Sequence, residues 1–187
     1  MLSYVNFNQE RIFAMIEKLS VEKIKALQQN KTMHRRWRDN IDRPFTDFTA
    51  VGEIRDVNWH FGILNYTKFS TIEFNNVDFS RSELRYADFH ECTFNNCRFE
   101  GAEAQFANFS DSKFNNCIMN ASLQYANFAK CNMASCMFGN SDIAFTNFED
   151  CSFECCEALN IEHLQLANNL PTSLVGLVYD RDQYCNL

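Results

Sequence analysis

Large residues recur at every fifth place through the middle of this 187-residue chain, and that interval excludes most folds open to a protein of its size. From Leu64 the series runs Phe69, Phe74, Phe79, Leu84, Phe89, Phe94, Phe99, Ala104, Phe109, Phe114 and Met119. One residue is then missing, and the series resumes as Leu123, Phe128, Met133, Phe138, Ile143, Phe148, Phe153 and Ala158. Two places before these stand small or β-branched residues, among them Thr67, Val77, Ala87, Ala107, Ala126 and Thr146. A helix brings a face round every 3.6 residues and a strand every two, so a period of five fits neither. It requires a chain that turns a corner every five residues, with one large and one small side chain directed inward on each side.

The number of sides follows from which residues match best. Aligned at twenty, or nineteen across the missing residue, one side reads Leu64, Leu84, Ala104, Leu123, Ile143. The next reads Phe69, Phe89, Phe109, Phe128, Phe148; the third reads Phe74, Phe94, Phe114, Met133, Phe153; the fourth reads Phe79, Phe99, Met119, Phe138, Ala158. The only aliphatic side stays aliphatic through five coils, which selects four sides.

The repeated unit, small residue then Asp or Asn then Phe, occurs as ADF (Ala87–Phe89), ANF (Ala107–Phe109 and Ala126–Phe128) and TNF (Thr146–Phe148). It resembles the pentapeptide-repeat family over about residues 46–160. The resemblance implies a right-handed quadrilateral β-helix, an all-β solenoid, here of about five to six coils with helical ends. Coils stacked at the strand spacing of about 4.8 Å make a rod on the order of 25–30 Å long. Asn75, Asn95 and Asn115 then share one corner with Asn76, Asn96 and Asn116, where each amide can bond its copy one coil away.

Bare coil ends are open sheet edges and require covering. Residues 1–45 are read as a helical, basic N-terminal cap: Ile12, Ile16, Leu19, Ile24 and Leu27 form an apolar stripe along residues 8–30, and a basic connector follows. Residues 46–160 are the solenoid. Residues 161–187 are read as a C-terminal cap or a dimerisation surface, the latter giving a homodimer. Residues 1–45 carry nine Lys/Arg against five Asp/Glu, whereas residues 46–165 carry seven against seventeen. A basic head is joined to an acidic body. No run of about eighteen apolar residues marks a membrane span, and nothing near Met1 reads as a signal peptide, so the expected location is the cytoplasm.

Seven of the nine cysteines take the inward small position: Cys92, Cys97, Cys117, Cys131, Cys136, Cys151 and Cys156. Spacings of five and twenty lack the close pairs of a zinc site, and ladder neighbours lie too far apart for a disulfide. They are expected to be buried free thiols, as suits a reducing compartment.

Two outward patterns are candidate partner-binding surfaces. Tyr66, Tyr86, Phe106, Tyr125 and Phe145 form an aromatic row two residues after the aliphatic side; it is either covered by the chain's own ends or used to bind a partner. Asp88, Glu91, Asp111, Glu149 and Asp150 recur outward, with Glu83, Glu103 and Asp142 on the neighbouring side; they are either a solvated face or a mimic of phosphate charge. The cluster HRRWR (His34–Arg38) is expected to pair with the acidic body. No catalytic signature, phosphate-binding glycine loop or metal motif occurs, so no enzyme activity, cofactor or metal is expected.

The expected function is therefore a non-enzymatic scaffold that binds a protein through its outer surface. The family resemblance implies a specific form: a DNA-mimic regulator or protector of DNA gyrase, or of another DNA-handling enzyme, without direct nucleic-acid binding. The alternative is a secreted bacterial effector or adaptor that binds its target through the helical N-terminus or the aromatic row.

Overall fold

The computed structural model describes residues 52–157, 166–170 and 177–178. The expected N-terminal helices, the HRRWR cluster, Ala158 and most of the C-terminal segment lie outside these described residues.

Six short strands mark one side of successive coils: β1 (Glu53–Arg55), β2 (Glu73–Asn75), β3 (Thr93–Asn95), β4 (Lys113–Asn115), β5 (Asn132–Ala134) and β6 (Ser152–Glu154). They pair in chain order, all parallel, and like residues face one another: Phe74 with Phe94, Phe94 with Phe114, Phe114 with Met133. The other three sides are pinned coil to coil by single parallel bridges, such as Asp78↔Arg98, Glu83↔Glu103 and Asp88↔Asn108. β7 (Cys156–Glu157) pairs with β8 (Leu177–Val178), and Asn147 bridges to Asn168, so later residues add rungs at the far end. The four-sided coil read from the five- and twenty-residue periods, and the all-β solenoid that the family resemblance implies, are the fold observed.

Backbone hydrogen bonds run along the axis in both directions: Phe89 N donates to Asn108 O at 2.6 Å and Asn108 N to Ala87 O at 2.9 Å. The coil spacing this imposes, about 4.8 Å, is also a good distance for offset aromatic stacking. Phe69, Phe89, Phe109 and Phe128 stack at centroid distances of 4.9, 5.1 and 4.7 Å, with planes within 15°. Phe74, Phe94 and Phe114 do the same at 4.9 and 4.6 Å. Between sides the rings meet edge to face, as for Phe94 and Phe99 at 5.5 Å and 69°. The core extends one coil earlier than the series from Leu64, because Ile54 and Trp59 are also buried, each 3% exposed.

Three of the four corners are closed by a backbone bond three residues long, as in Ala87 N to Leu84 O at 3.0 Å and Cys92 N to Phe89 O at 3.3 Å. Their third residue has positive φ, the signature of a type II turn. The FNN corner is a bend without that bond. There the side chains hold the coils: Asn95 Nδ2 donates to Asn75 Oδ1 at 2.9 Å, Asn115 Nδ2 to Asn95 Oδ1 at 2.8 Å and Asn116 Nδ2 to Asn96 Oδ1 at 2.8 Å. The residue missing from the series is a corner residue after Met119: Asn120 runs directly to Ala121, so the register of every side survives.

A second polar ladder explains the Asp/Asn of the repeated unit. Asn108 Nδ2 donates to Asp88 Oδ1 at 2.9 Å, Asn127 to Asn108 at 3.0 Å and Asn147 to Asn127 at 2.9 Å. Each oxygen also accepts the backbone N–H two residues on, for example Ser110 N at 3.2 Å. The inward small residues are polar for a related reason. Ser112 Oγ, Thr146 Oγ1 and Cys131 Sγ each point at a main-chain carbonyl of the neighbouring coil, those of Phe89, Leu123 and Phe109.

The seven inward cysteines are free and buried. Burial pushes the Cys92 thiol up to about 12 and moves Cys131 in the same direction, so these thiols stay protonated. Cys155 departs from the expectation of free thiols throughout: it is disulfide-bonded, to a partner outside the described residues. It occupies an outward corner with φ 49°, where the ladder spacing that keeps the inward cysteines apart does not apply.

Two predictions follow from this packing. Phe109→Ala, which opens a hole between Phe89 and Phe128, is expected to cost about 3–5 kcal/mol, read as a lowered midpoint in urea denaturation. In native protein the seven inward thiols are expected to resist alkylation, detected by peptide mass spectrometry; all seven react after denaturation, whereas Cys155 reacts only after reduction.

Candidate protein-interaction face

The aromatic row is built by the corner between the aliphatic side and the Phe69–Phe148 side. Tyr66, Tyr86, Phe106, Tyr125 and Phe145 are all third residues of their turns, with φ from 58° to 61°. Their backbone N–H groups are held by the next coil: Tyr86 N donates to Gln105 O at 3.2 Å and Phe106 N to Gln124 O at 3.1 Å. Every ring therefore leaves the corner in the same direction, and the rings stack at 5.0, 4.9, 4.9 and 5.0 Å with planes within 13°. Each residue remains between 43% and 51% exposed. With faces turned to one another, the rings show the surroundings their edges and the hydroxyls of Tyr66, Tyr86 and Tyr125.

The left-handed region is costly for residues with a Cβ, and Asn and Gly adopt it most readily. At the FNN corner that position holds Asp56, Asn76, Asn96 and Asn116, which suits the rule, and then Ser135 and Cys155, which do not. At the aromatic corner five coils in succession depart from it. The following corner departs from it as well, at Thr71, Glu91 and Lys130, so the coil imposes this conformation on whatever residue stands at a corner.

The acidic candidates occupy two lines on either side of the row. Glu83, Glu103 and Asp142 precede the rings by three residues; Glu103 pairs with Arg85 at 2.9 Å and Asp142 accepts from the Gln124 amide. Glu91, Asp111 and Asp150 take the following corner, which Lys130 interrupts, with Glu149 beside Asp150. His90 links two of them, its Nδ1 lying 3.7 Å from Asp111 and its Nε2 3.7 Å from Glu91. Asp88 differs, since its carboxylate belongs to the ladder with Asn108.

The two sides that meet at the aromatic row (residues 62–71, 82–91, 102–111, 121–130 and 141–150) carry eight Asp/Glu against three Lys/Arg. The other sides of the described coils (residues 52–61, 72–81, 92–101, 112–120, 131–140 and 151–157) carry seven against four. Both halves are acidic, the ring-bearing one slightly more so. Among the described residues no group of His, Cys, Asp or Glu is arranged to hold a metal ion, and no helix is long and apolar enough to cross a membrane.

Comparison with known proteins bears on the scaffold. No curated protein matches the chain. Solved structures with similarity include a pentapeptide repeat protein from the thylakoid lumen of Arabidopsis thaliana, at 19% identity over 65% of this chain and 82% of that one, with a TM-score of 0.41. QnrB1, a plasmid-mediated fluoroquinolone resistance protein, aligns at 15% identity over 70% of this chain and 85% of its own, with a TM-score of 0.35. HetL, a pentapeptide repeat protein involved in heterocyst differentiation regulation in Nostoc sp. strain PCC 7120, aligns at 12% identity over 66% and 80%, with a TM-score of 0.24. The family described as pentapeptide repeats matches in eight copies, over residues 63–101, 82–120 and 119–154. Its span coincides with the coils whose sides recur every five residues, and the chain belongs to the pentapeptide-repeat family.

Proposed function

We propose that this chain is a non-enzymatic scaffold that binds a protein partner through the aromatic row and the acidic sides flanking it. One observation carries the reading: five aromatic residues occupy left-handed corners and stand about half exposed in one continuous stack. A soluble protein gains little from a long apolar strip in water, whereas Tyr and Phe suit the centre of an interface. The packed interior, filled by rings and thiols, leaves the outer walls to do the work.

Replacing rings by Asn separates the two roles. In a Tyr86→Asn, Phe106→Asn, Tyr125→Asn variant, relief at each left-handed corner and loss of ring stacking are each about 1 kcal/mol. They offset, so the thermal midpoint is expected to stay close to that of the parent. A photo-cross-linking phenylalanine at position 106, used in the native host, is expected to give a discrete protein adduct that vanishes when Tyr86→Asn and Tyr125→Asn are added. The same probe at Asn95, on the side away from the row, is expected to give none. Equal adducts from both positions, or unfolding of the triple variant, would make the row structural.

The carboxylates that recur along the coils on both sides of the row favour a second reading, in which the acidic face occupies the nucleic-acid groove of DNA gyrase or another DNA-handling enzyme. It predicts that micromolar protein inhibits gyrase supercoiling or protects it from a fluoroquinolone, with the effect weakened by Asp111→Lys and Asp150→Lys. A gyrase reaction left unchanged in both respects removes this reading and leaves the aromatic row standing.

A further inference from the structure

Resting on the reading of the aromatic row as a partner contact, we infer that its occupant is a basic amphipathic helix of the partner protein, laid along the solenoid axis. The first argument is spacing. The rings are set 4.9–5.0 Å apart over five rungs, about 20 Å in all. An α-helix returns one face every 5.4 Å, so about 14 residues follow the row with a drift of roughly 2 Å across its whole length. A strand repeats one face at about 6.6 Å and falls a full rung out of step within three or four side chains.

The second argument is what the rings display. Because their faces are stacked on one another, a partner meets ring edges, which accept aliphatic side chains, and three phenolic hydroxyls. Leu, Ile or Met at helical spacing fill the hollows between rungs. The third argument is charge. Carboxylates flank the row on both sides, at Glu103 and Asp142 before it and at Asp111, Glu149 and Asp150 after it. The near line stands three residues from the rings, roughly 10 Å of extended chain, which is about the width of a helix. Lys and Arg beside the apolar stripe of such a helix reach these lines. A second copy of this acidic face would be repelled by them.

The test uses the full chain and a fluorescein-labelled peptide of about 18 residues with a leucine stripe flanked by Lys and Arg, read by fluorescence anisotropy. The expected result is saturable binding that weakens about tenfold or more when Glu replaces the basic flanks, and by as much again in the Tyr86→Asn, Phe106→Asn, Tyr125→Asn variant. Added salt is expected to weaken it further. Equal affinity for the two flanks overturns the charge argument. Tighter binding of an alternating Leu/Lys strand peptide overturns the helix. Undiminished binding by the Asn variant places the peptide elsewhere and overturns the site. Tighter binding after Ile12→Ser, Ile16→Ser and Leu19→Ser overturns the partner, since the chain's own apolar segment would then hold the row. If peptide binding fails while the position-106 adduct persists, the interaction face stands and the helix falls; if both fail, both fall.

Discussion

The hydrogen-bond spacing of parallel backbone and the stacking distance of phenyl rings are nearly the same length, and this structure depends on that coincidence. Coils held about 4.8 Å apart by their peptide groups bring Phe89, Phe109 and Phe128 into contact at 5.1 and 4.7 Å without bending either the backbone or the stack. Anything placed at one position of the coil is copied at that distance along the axis. Asn amides become ladders, inward cysteines become columns of buried free thiols, and Ser or Thr hydroxyls find the same type of carbonyl at each level. A single rule of geometry thus sets the core, the corners and the surface.

The corners connect that rule to function. A square coil must reverse direction by means of left-handed residues, and at the FNN corner this conformation falls on Asn, whose side chain adds coil-to-coil bonds where the turn lacks its own. At the aromatic corner it falls on Tyr and Phe, which the backbone does not favour. The rings gain stacking but keep about half their surface exposed. Carboxylates stand on both sides of this line, at Glu103 and Asp142 before it and at Asp111 and Asp150 after it, and the proposed basic, apolar-cored partner rests on that placement.

Much of the fold was legible because it depends on inward residues at a fixed interval. The five- and twenty-residue periods, the burial of the seven cysteines and the Asn ladder at FNN all follow from placing letters on a square. The start of the core was less visible, since Ile54 and Trp59 share the interval but not the phenylalanine that marks it. The role of the Asp/Asn in ANF was hidden for a different reason: its oxygen takes a backbone N–H of its own coil and a side-chain amide from the next, a pairing no single repeat displays. Cys155 was hidden because its outward corner lies off the inward ladder whose spacing keeps the other thiols apart. At the candidate face the aromatic row was readable, but its left-handed backbone was not, because Tyr and Phe are poor markers of that conformation. The placement of the carboxylates needed the coil register before acidic residues scattered along the chain could be assigned to a side.

The most direct measurement of the stacked-coil account is ring-to-ring nuclear Overhauser contact among selectively labelled Phe89, Phe109 and Phe128. The account predicts contacts from Phe109 to each of the other two and none between Phe89 and Phe128, which stand two coils apart. A contact between Phe89 and Phe128, or the absence of either neighbour contact in the folded protein, would contradict it.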